Sequence, residues 1–279
     1  MRRRFRQVDV FTAEPYLGNP VAVVLDGDGL DTADLQRFAR WTNLSETTFV
    51  IPPTVAGADY RVRIFTPAEE LPFAGHPTIG TCHAWLEAGG VPAGAGPVQE
   101  CGAGLVALRQ DGGRLAFAAP PLVRSGPVEE SLLVRIAAGL RIDRAEILDA
   151  EWVDNGPGWV AVVLADADAV LAVRPAELDG LSVGLVGALP PGSGAAVEVR
   201  AFFPGDGGAT REDPVTGSLN ASLAPWLVRT GRVSLPYAAR QGTALGRRGR
   251  VHLAGDPSGA APLWVGGDAV TCVEGHVEL

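Results

Sequence analysis

Phe73-Ala74-Gly75-His76-Pro77-Thr78-Ile79-Gly80 sets a histidine in a turn of Gly and Pro between two regular segments of the chain. Before it, apolar and charged residues alternate over residues 60–65, which predicts a half-buried strand. After it, residues 81–88 are largely apolar and Gly89-Gly90 stops them as a helix C-cap would. The start of a helix presents unpaired N–H groups and the positive end of the dipole. The stretch therefore predicts an anion-binding turn that carries His76.

This stretch recurs later in the chain at an offset of 137 residues, with no gap. Arg63-Ile64-Phe65-Thr66-Pro67 then falls on Arg200-Ala201-Phe202-Phe203-Pro204, and His76 falls on Asp213. Two strand–turn–helix units at one offset predict two similar lobes. If the lobes face each other, two helix N-termini converge on one cleft with an acid/base group beside each. The alternative is that Gly-Pro turns recur by chance and both titratable residues are solvated.

Composition restricts the class of protein. The 279 residues are 47% hydrophobic and 20% charged, enough for two lobes of ordinary size or one large domain. The net charge of −9 argues against nucleic acid or an anionic membrane as a partner, although local helix N-termini still allow an anionic substrate. All positive side chains are arginines, so Schiff-base chemistry on a lysine is excluded.

Cysteines and histidines are too scattered to suggest a cofactor. Cys82, Cys101 and Cys272 form no disulfide framework, which predicts a reducing cytoplasm. The start of the chain resembles a charged strand rather than a signal peptide, and no run is long and apolar enough to cross a membrane. The four histidines lack metal-ligand spacing, and no nucleotide-binding fingerprint follows a strand. The sequence thus predicts no metal site and gives no support for nucleotide binding.

Hydrophobic periodicity predicts strands and helices in both halves of the chain, and Ala119-Pro120-Pro121 breaks the pattern, which places a lobe boundary there. The first lobe, residues 1–118, contains a helix that Asp31 begins and Asn43 closes. The last strand, about residues 266–279, is a candidate to pair back onto this lobe. The second lobe, residues 119–265, contains helices over 128–138 and after the second turn, a short helix from 174–178, and strands near 181–186 and 197–203. The apolar helix after each turn predicts a buried central helix in each lobe.

Glu46 stands where an apolar strand begins, within Asn43-Leu44-Ser45-Glu46-Thr47-Thr48-Phe49. A carboxylate beside an apolar strand could be a general base with a raised pKa, as proton abstraction near neutral pH requires. The alternative is an exposed glutamate at a strand end.

Three motifs, in order along the chain, resemble those of the phenazine-biosynthesis PhzF-like family. They are Asn43-Leu44-Ser45-Glu46-Thr47-Thr48-Phe49, the segment from Phe65-Thr66-Pro67 through Phe73-Ala74-Gly75-His76-Pro77-Thr78-Ile79-Gly80, and Glu212-Asp213-Pro214-Val215-Thr216-Gly217-Ser218. Gly18-Asn19-Pro20 and the turn that begins at Gln241-Gly242 also resemble it. The resemblance covers essentially the whole chain.

The resemblance implies a diaminopimelate-epimerase-like fold. Two pseudo-symmetric α+β lobes would each form a curved, barrel-like sheet around a central helix, with the active site in the cleft between them. It also implies a cofactor-independent isomerase, commonly a homodimer, that moves a proton on a small carboxylate such as a dihydro-hydroxyanthranilate.

The resemblance assigns roles to particular residues of this chain. Glu46 matches the glutamate that shuttles the proton, and His76 and Asp213 match the other polar catalytic positions. The substrate-binding positions are Asn19, Ser45, Gly75, Gly217 and Ser218, with the two glycines letting a substrate carboxylate approach backbone N–H groups. Residues 207–211 are a variable approach to the second turn, which leaves the substrate open.

Two other functions fit the same fold. One is an amino-acid epimerase or racemase with a thiol on each facing loop, although those loop positions here carry His76 and Asp213 rather than cysteine. The other is a non-catalytic protein that kept a carboxylate-binding site, because binding and turnover use the same loops.

Overall fold

The computed structural model describes residues 1–205, 208–256 and 261–279. The chain forms two compact units, one of Met1–Ala118 with Gly266–Leu279 and one of Ala119–Val265. Both units combine helices with extensive β-sheet, so the fold is α+β. None of the helices in the described ranges has the length and apolarity needed to cross a bilayer.

The first unit combines β-strands with the two helices α1 and α2. Its elements are β1 (Arg2–Val10), β2 (Asn19–Val24), α1 (Thr32–Thr42), β3 (Glu46–Ile51), β4 (Tyr60–Phe65), β5 (Glu70–Leu71), α2 (Gly75–Glu87), β6 (Val98–Cys101), β7 (Gly104–Asp111), β8 (Arg114–Ala118) and β18 (Ala269–Glu278). The strands pair in the order β18-β1-β2-β3-β4-β6-β7-β8, and β5 also pairs with β4. The pairs β2–β3 and β4–β6 are parallel, and the others are antiparallel.

The second unit repeats this arrangement. Its elements are β9 (Arg124–Pro127), α3 (Glu130–Leu140), β10 (Asp149–Asp154), β11 (Trp159–Val163), α4 (Ala167–Ala172), β12 (Ser182–Ala188), β13 (Val197–Pro204), β14 (Thr210–Asp213), α5 (Gly217–Arg229), β15 (Tyr237–Gln241) and β16 (Gly249–Ala254). Strand β17 (Trp264–Gly267) spans the point where the chain returns to the first unit. The pairing order is β9-β10-β11-β12-β13-β15-β16, with β14 on β13 and parallel pairs β11–β12 and β13–β15.

One helix in each unit is buried on nearly all sides. Helices α2 and α5 each have 13 residues, and each buries nine of them. Helix α2 packs on β1 and β2 so closely that a Cβ at Gly80 would lie 2.3 Å from Cγ1 of Val21. This close approach explains a glycine within the helix. The prediction of a buried helix after each turn is confirmed.

Helix α1, in contrast, is buried on one face only. Asp31 caps α1 by accepting a hydrogen bond from Asp34 N at 2.7 Å, and Asn43 ends it in the left-handed conformation, with φ of 54°. Both termini agree with the sequence-based prediction. The side chains that α1 buries, Leu35, Phe38 and Ala39, join Val24, Phe49 and Phe65 in one apolar cluster.

The internal repeat is real, but its register differs from the prediction. Phe65 pairs with Glu70 on β5, whereas Phe202 pairs with Glu212 on β14. Strands β4 and β13 are therefore offset by 137 residues (202 − 65), but the segments after them are offset by 142 (212 − 70). The turn between β13 and β14 is five residues longer, and residue 207 of the variable segment 207–211 lies outside the described ranges.

This insertion changes which residues are equivalent. Helices α2 and α5 begin at Gly75 and Gly217, again 142 residues apart. His76 therefore corresponds to Ser218, and Asp213 corresponds to Leu71. The predicted equivalence of His76 and Asp213 was wrong, because an alignment without a gap placed the extra turn residues inside the helix.

The short helix of the second unit was also misplaced. It was predicted from residues 174–178, but α4 occupies Ala167–Ala172. Asp166 caps α4 by accepting a hydrogen bond from Ala169 N at 2.8 Å. An Asp three residues before that N–H group is a helix-start signal, and the prediction did not use it.

Candidate active site

The first group of candidate residues surrounds the start of α2 in the first unit. Glu46 is the first residue of β3, and it pairs with Val21 on the parallel strand β2. Its side chain is 15% exposed, so the carboxylate stands at the boundary between the core and solvent. The left-handed turn at Asn43 ends α1 just before it, and Ser45 occupies this turn, half-buried.

His76 is the second residue of α2, and only 5% of its side chain is exposed. Its Nε2 lies 3.4 Å from Oε2 of Glu46, a close contact with no hydrogen bond formed at Nε2. Burial lowers the pKa of His76 to about 3, and a backbone hydrogen bond with Pro20 offsets only part of this effect. The imidazole is therefore neutral at physiological pH.

Asn19 completes this group from the first position of β2, where it is fully buried. Its Nδ2 lies 3.4 Å from Nδ1 of His76. The donor and acceptor roles of these two atoms depend on the tautomer of the ring. The imidazole of His76 therefore lies between the amide of Asn19 and the carboxylate of Glu46.

The start of α2 offers backbone N–H groups next to this pair. The N-cap residue is Ala74, which has no side chain able to cap the helix. Gly75, the first helical residue, is buried. Uncapped N–H groups and the helix dipole favour a negative charge at this point.

The second group of candidates lies in the second unit, at the start of α5. Asp213 ends β14, and its Oδ2 accepts a hydrogen bond from Thr216 Oγ1 at 2.5 Å. Gly217 begins α5, and the N-cap Thr216 makes no side-chain capping bond to the helix. Ser218 follows, and its Oγ accepts a hydrogen bond from Trp159 Nε1 at 3.1 Å.

The two groups make a similar contact at the second residue of each helix. In the first unit Asn19 of β2 contacts His76, and in the second Trp159 of β11 donates to Ser218. A side-chain N–H group of the parallel strand pair thus meets each second helical residue. Because Oγ of Ser218 already accepts from the indole, its own hydrogen is left to donate elsewhere.

Several buried polar side chains at these helices were missed by sequence reasoning. Gln99 and Gln241 are fully buried, as are Thr78 and Asn220 on α2 and α5. A polar residue near a turn gives no sign of burial from its type alone. The offset of 142 residues relates Thr78 to Asn220 and Gln99 to Gln241, and that regularity could have found them.

The cysteines do not form a pair of facing bases. Cys82 lies in α2 and Cys101 at the end of β6, both buried, while Cys272 lies in β18. All three belong to the first unit. Burial raises the pKa of the Cys82 thiol to about 12. Within the described ranges, no group of three His, Cys, Asp or Glu side chains could hold a metal ion.

Comparison with known proteins places this geometry in a family. A family model described as "Phenazine biosynthesis-like protein" matches residues 8–275. The trans-2,3-dihydro-3-hydroxyanthranilate isomerase of Pseudomonas aeruginosa is 34% identical over 300 residues, which cover 99% of both chains. "Antisense-enhancing sequence 1" of Schizosaccharomyces pombe is 37% identical over 292 residues, which cover 97% of both.

A solved structure shows the same fold. The crystal structure of a Bacillus anthracis phenazine biosynthesis protein of the PhzF family matches with a TM-score of 0.86 at 24% identity, and the match covers 100% of both chains. The α+β fold and the family predicted from the sequence are both confirmed.

Proposed function

Because the chain belongs to the phenazine biosynthesis-like (PhzF-like) family and is an isomerase, we propose that it moves a proton within a small carboxylate substrate without a cofactor. A relative named trans-2,3-dihydro-3-hydroxyanthranilate isomerase suggests a cyclic amino acid of that kind. The contact of Glu46 with a neutral, buried His76 is the observation that carries the proposal.

Glu46 is the general base and then the general acid. Its carboxylate takes a proton from one substrate carbon, the electron pair shifts through the adjoining double bonds, and the carboxyl group, after its proton exchanges with solvent, delivers a proton to another carbon. The reaction needs no oxidant or reductant, since only a proton and the double bonds change position. A single carboxylate can perform both steps because it is regenerated at the end.

His76 acts as a neutral polar group beside the base in this scheme. Its pKa, lowered by burial, means that the ring does not compete with Glu46 for the substrate proton near pH 7. A neutral, polar ring next to the base can hydrogen-bond the substrate and stabilise charge as it develops. Asn19 holds the ring from the other side.

Backbone N–H groups at the helix starts would receive the substrate carboxylate. Gly75 supplies such a group beside Glu46 and His76, and Gly217 and Ser218 supply them in the second unit. Ser45, next to Glu46 in sequence, is proposed to contact the substrate, and Asp213 is proposed as a second polar catalytic group. The proposal also includes a homodimer in the cytoplasm.

An epimerase that uses two thiols finds no support in the chain. Such an enzyme needs a base from each lobe, and the second unit contains no cysteine. The buried thiol of Cys82, whose pKa is raised to about 12, is a poor base near neutral pH.

The experiment that tests the proposal is proton exchange in D₂O. Protein dialysed against a chelator is incubated with trans-2,3-dihydro-3-hydroxyanthranilate, and the product is analysed by NMR and mass spectrometry. We expect an isomerised product that carries solvent deuterium at one carbon, with no added metal or nucleotide. Tight binding of the compound without isomerisation or exchange would favour the non-catalytic alternative, and restoration of activity only by a metal would contradict cofactor independence.

A further inference from the structure

Gln241 is the hub of a buried hydrogen-bond network at the start of α5. It ends strand β15 and is 0% exposed. Its Oε1 accepts from Thr216 N at 3.0 Å and from Asn220 Nδ2 at 2.8 Å. Its Nε2 donates to Thr216 Oγ1 at 2.9 Å and to Asp213 O at 3.2 Å. A glutamine amide has two N–H donors and two acceptor sites on its oxygen, and all four are used here.

The network fixes the peptide group that begins α5. Asn220 Nδ2 donates to Thr216 O at 2.9 Å, and Asn220 N donates to the same oxygen at 3.1 Å. That oxygen belongs to the planar peptide whose N–H group is that of Gly217. Holding the carbonyl therefore sets the direction of the Gly217 N–H group.

The same network orients Asp213. The hydroxyl of Thr216 accepts a hydrogen bond from Gln241, so its own hydrogen points to Asp213 Oδ2, 2.5 Å away. A hydrogen bond to a carboxylate is stronger than one between neutral groups. Gln241 thus holds both the backbone carbonyl of Asp213 and, through Thr216, its side chain.

The first unit contains a matching network at the start of α2. Thr78 N and Thr78 Oγ1 both donate to the carbonyl of the N-cap residue Ala74, at 3.2 and 2.9 Å. Gln99 Nε2 donates to Thr78 Oγ1 at 3.0 Å, and Gln99 Oε1 accepts from Tyr60 Oη at 3.2 Å.

Three pairs of residues in the two networks are separated by the same interval of 142. They are Ala74 and Thr216, Thr78 and Asn220, and Gln99 and Gln241. In both units a buried glutamine contacts the fourth helical residue, which holds the N-cap carbonyl from its side chain. The two halves use different side chains at the fourth helical position, but both hold the N-cap carbonyl. The feature common to both halves is therefore the orientation of the first helical N–H group.

We infer that Gln241 and Gln99 are positioning residues that aim the N–H groups at the starts of α5 and α2 towards a bound carboxylate. This inference rests on the proposed function, in which those N–H groups receive the substrate. Neither glutamine touches the substrate itself, and each acts through the peptide it holds.

Gln241→Met keeps the length of the side chain but removes all four hydrogen bonds. Ser222→Ala is the matched control, because Ser222 is also buried on α5 and its hydroxyl donates to Leu219 O, not to the peptide group between Thr216 and Gly217. Gln99→Met is the corresponding change in the first unit, and it keeps the inference testable if Gln241→Met does not fold.

The first measurement needs no ligand. Residual dipolar couplings report the direction of each N–H bond in the folded protein. In Gln241→Met we expect altered couplings at Gly217 and Ser218 and unchanged couplings over the rest of α5; Gln99→Met should alter those of Gly75 and His76 instead. Ser222→Ala should match the wild type at the helix start. Wild-type couplings at the helix starts in both glutamine variants would overturn the inference.

The second measurement is binding of anthranilate, an aromatic carboxylate related to the substrate of the named relative, by calorimetry. We expect the dissociation constant to rise about tenfold in Gln241→Met, as for loss of roughly one hydrogen bond to a charged group, and to stay unchanged in Ser222→Ala. Unchanged binding in Gln241→Met would contradict the inference. If the wild type neither binds anthranilate nor exchanges protons, the proposed function fails, and the dipolar couplings still decide the positioning role.

Discussion

Acid is expected to destabilise the protein through His76. The ring is buried, and burial lowers its pKa in the folded state to about 3, whereas an unfolded histidine has a pKa near 6.5. Between these two pKa values the unfolded chain binds a proton that the folded chain does not. Stability from this group is therefore fully present above about pH 6.5 and is lost as the pH falls towards about 3.

The size of the effect follows from the two pKa values. Each pH unit within the window changes the free energy of unfolding by about 1.4 kcal/mol, so the loss between about pH 8 and about pH 4.5 is about 2.7 kcal/mol. The Glu46 carboxylate, 3.4 Å away, would reduce this loss if it stabilised a protonated ring. The measured loss thus reports the charge state of the pair.

Urea unfolding followed by tryptophan fluorescence at several pH values measures this loss, and a histidine-to-glutamine variant isolates it. We expect His76→Gln to lose about 2.7 kcal/mol less than the wild type over the same pH interval. His276→Gln, the same change at an exposed site on β18, should keep the wild-type slope. A difference between His76→Gln and the wild type below about 1 kcal/mol would refute the neutral ring. An NMR titration of the ring of His76, expected to show no protonation above about pH 4, checks the assignment directly.

Three further changes test the packing and the chemistry. Gly80→Ala should lower the free energy of unfolding by about 1–3 kcal/mol, because its Cβ would lie 2.3 Å from Val21 Cγ1; unchanged stability in urea would contradict the close packing of α2. Arg200→Met should cost about 3–5 kcal/mol, since it removes a buried guanidinium 2.8 Å from Glu212, whose side chain is 12% exposed and is left without its paired charge; a loss below about 1 kcal/mol would contradict this. Iodoacetamide near neutral pH should leave proton exchange intact because the Cys82 thiol stays protonated, and inactivation that tracks modification would restore the thiol mechanism.

Local signals in the sequence were sufficient for most of the elements. The alternation over residues 60–65 predicted β4, and the Asp31 and Asn43 signals predicted both ends of α1. These features depend on neighbouring residues only, so a single sequence contains them.

The register of the repeat depended on information that the local pattern does not contain. The alignment of His76 with Asp213 kept both Gly-Pro turns in phase, and only the pairing of Phe202 with Glu212 reveals the longer turn. Strand pairing joins residues distant in sequence, so an insertion between paired strands is invisible to a comparison without gaps.

The acid/base candidates of the site could be predicted from the sequence, but the buried glutamines near them could not. The motif resemblance identified Glu46 and His76 as candidates, and in the structure Oε2 of Glu46 lies 3.4 Å from Nε2 of His76. The burial of Gln99 and Gln241 depends on contacts with residues distant in sequence, such as their hydrogen bonds to Thr78 and Asn220, which residue type alone does not report.

The proposal that Glu46 moves the proton is tested most directly by the exchange rate of a Glu46→Gln variant in D₂O. Glu100→Gln is the control, because it makes the same change at a buried carboxylate of the first unit that is bound by Thr54 and not by His76. We expect Glu46→Gln to remain folded and to lose about 10²–10⁴-fold in solvent deuterium incorporation, with Glu100→Gln close to the wild type. Incorporation by Glu46→Gln at the wild-type rate would show that another group is the base.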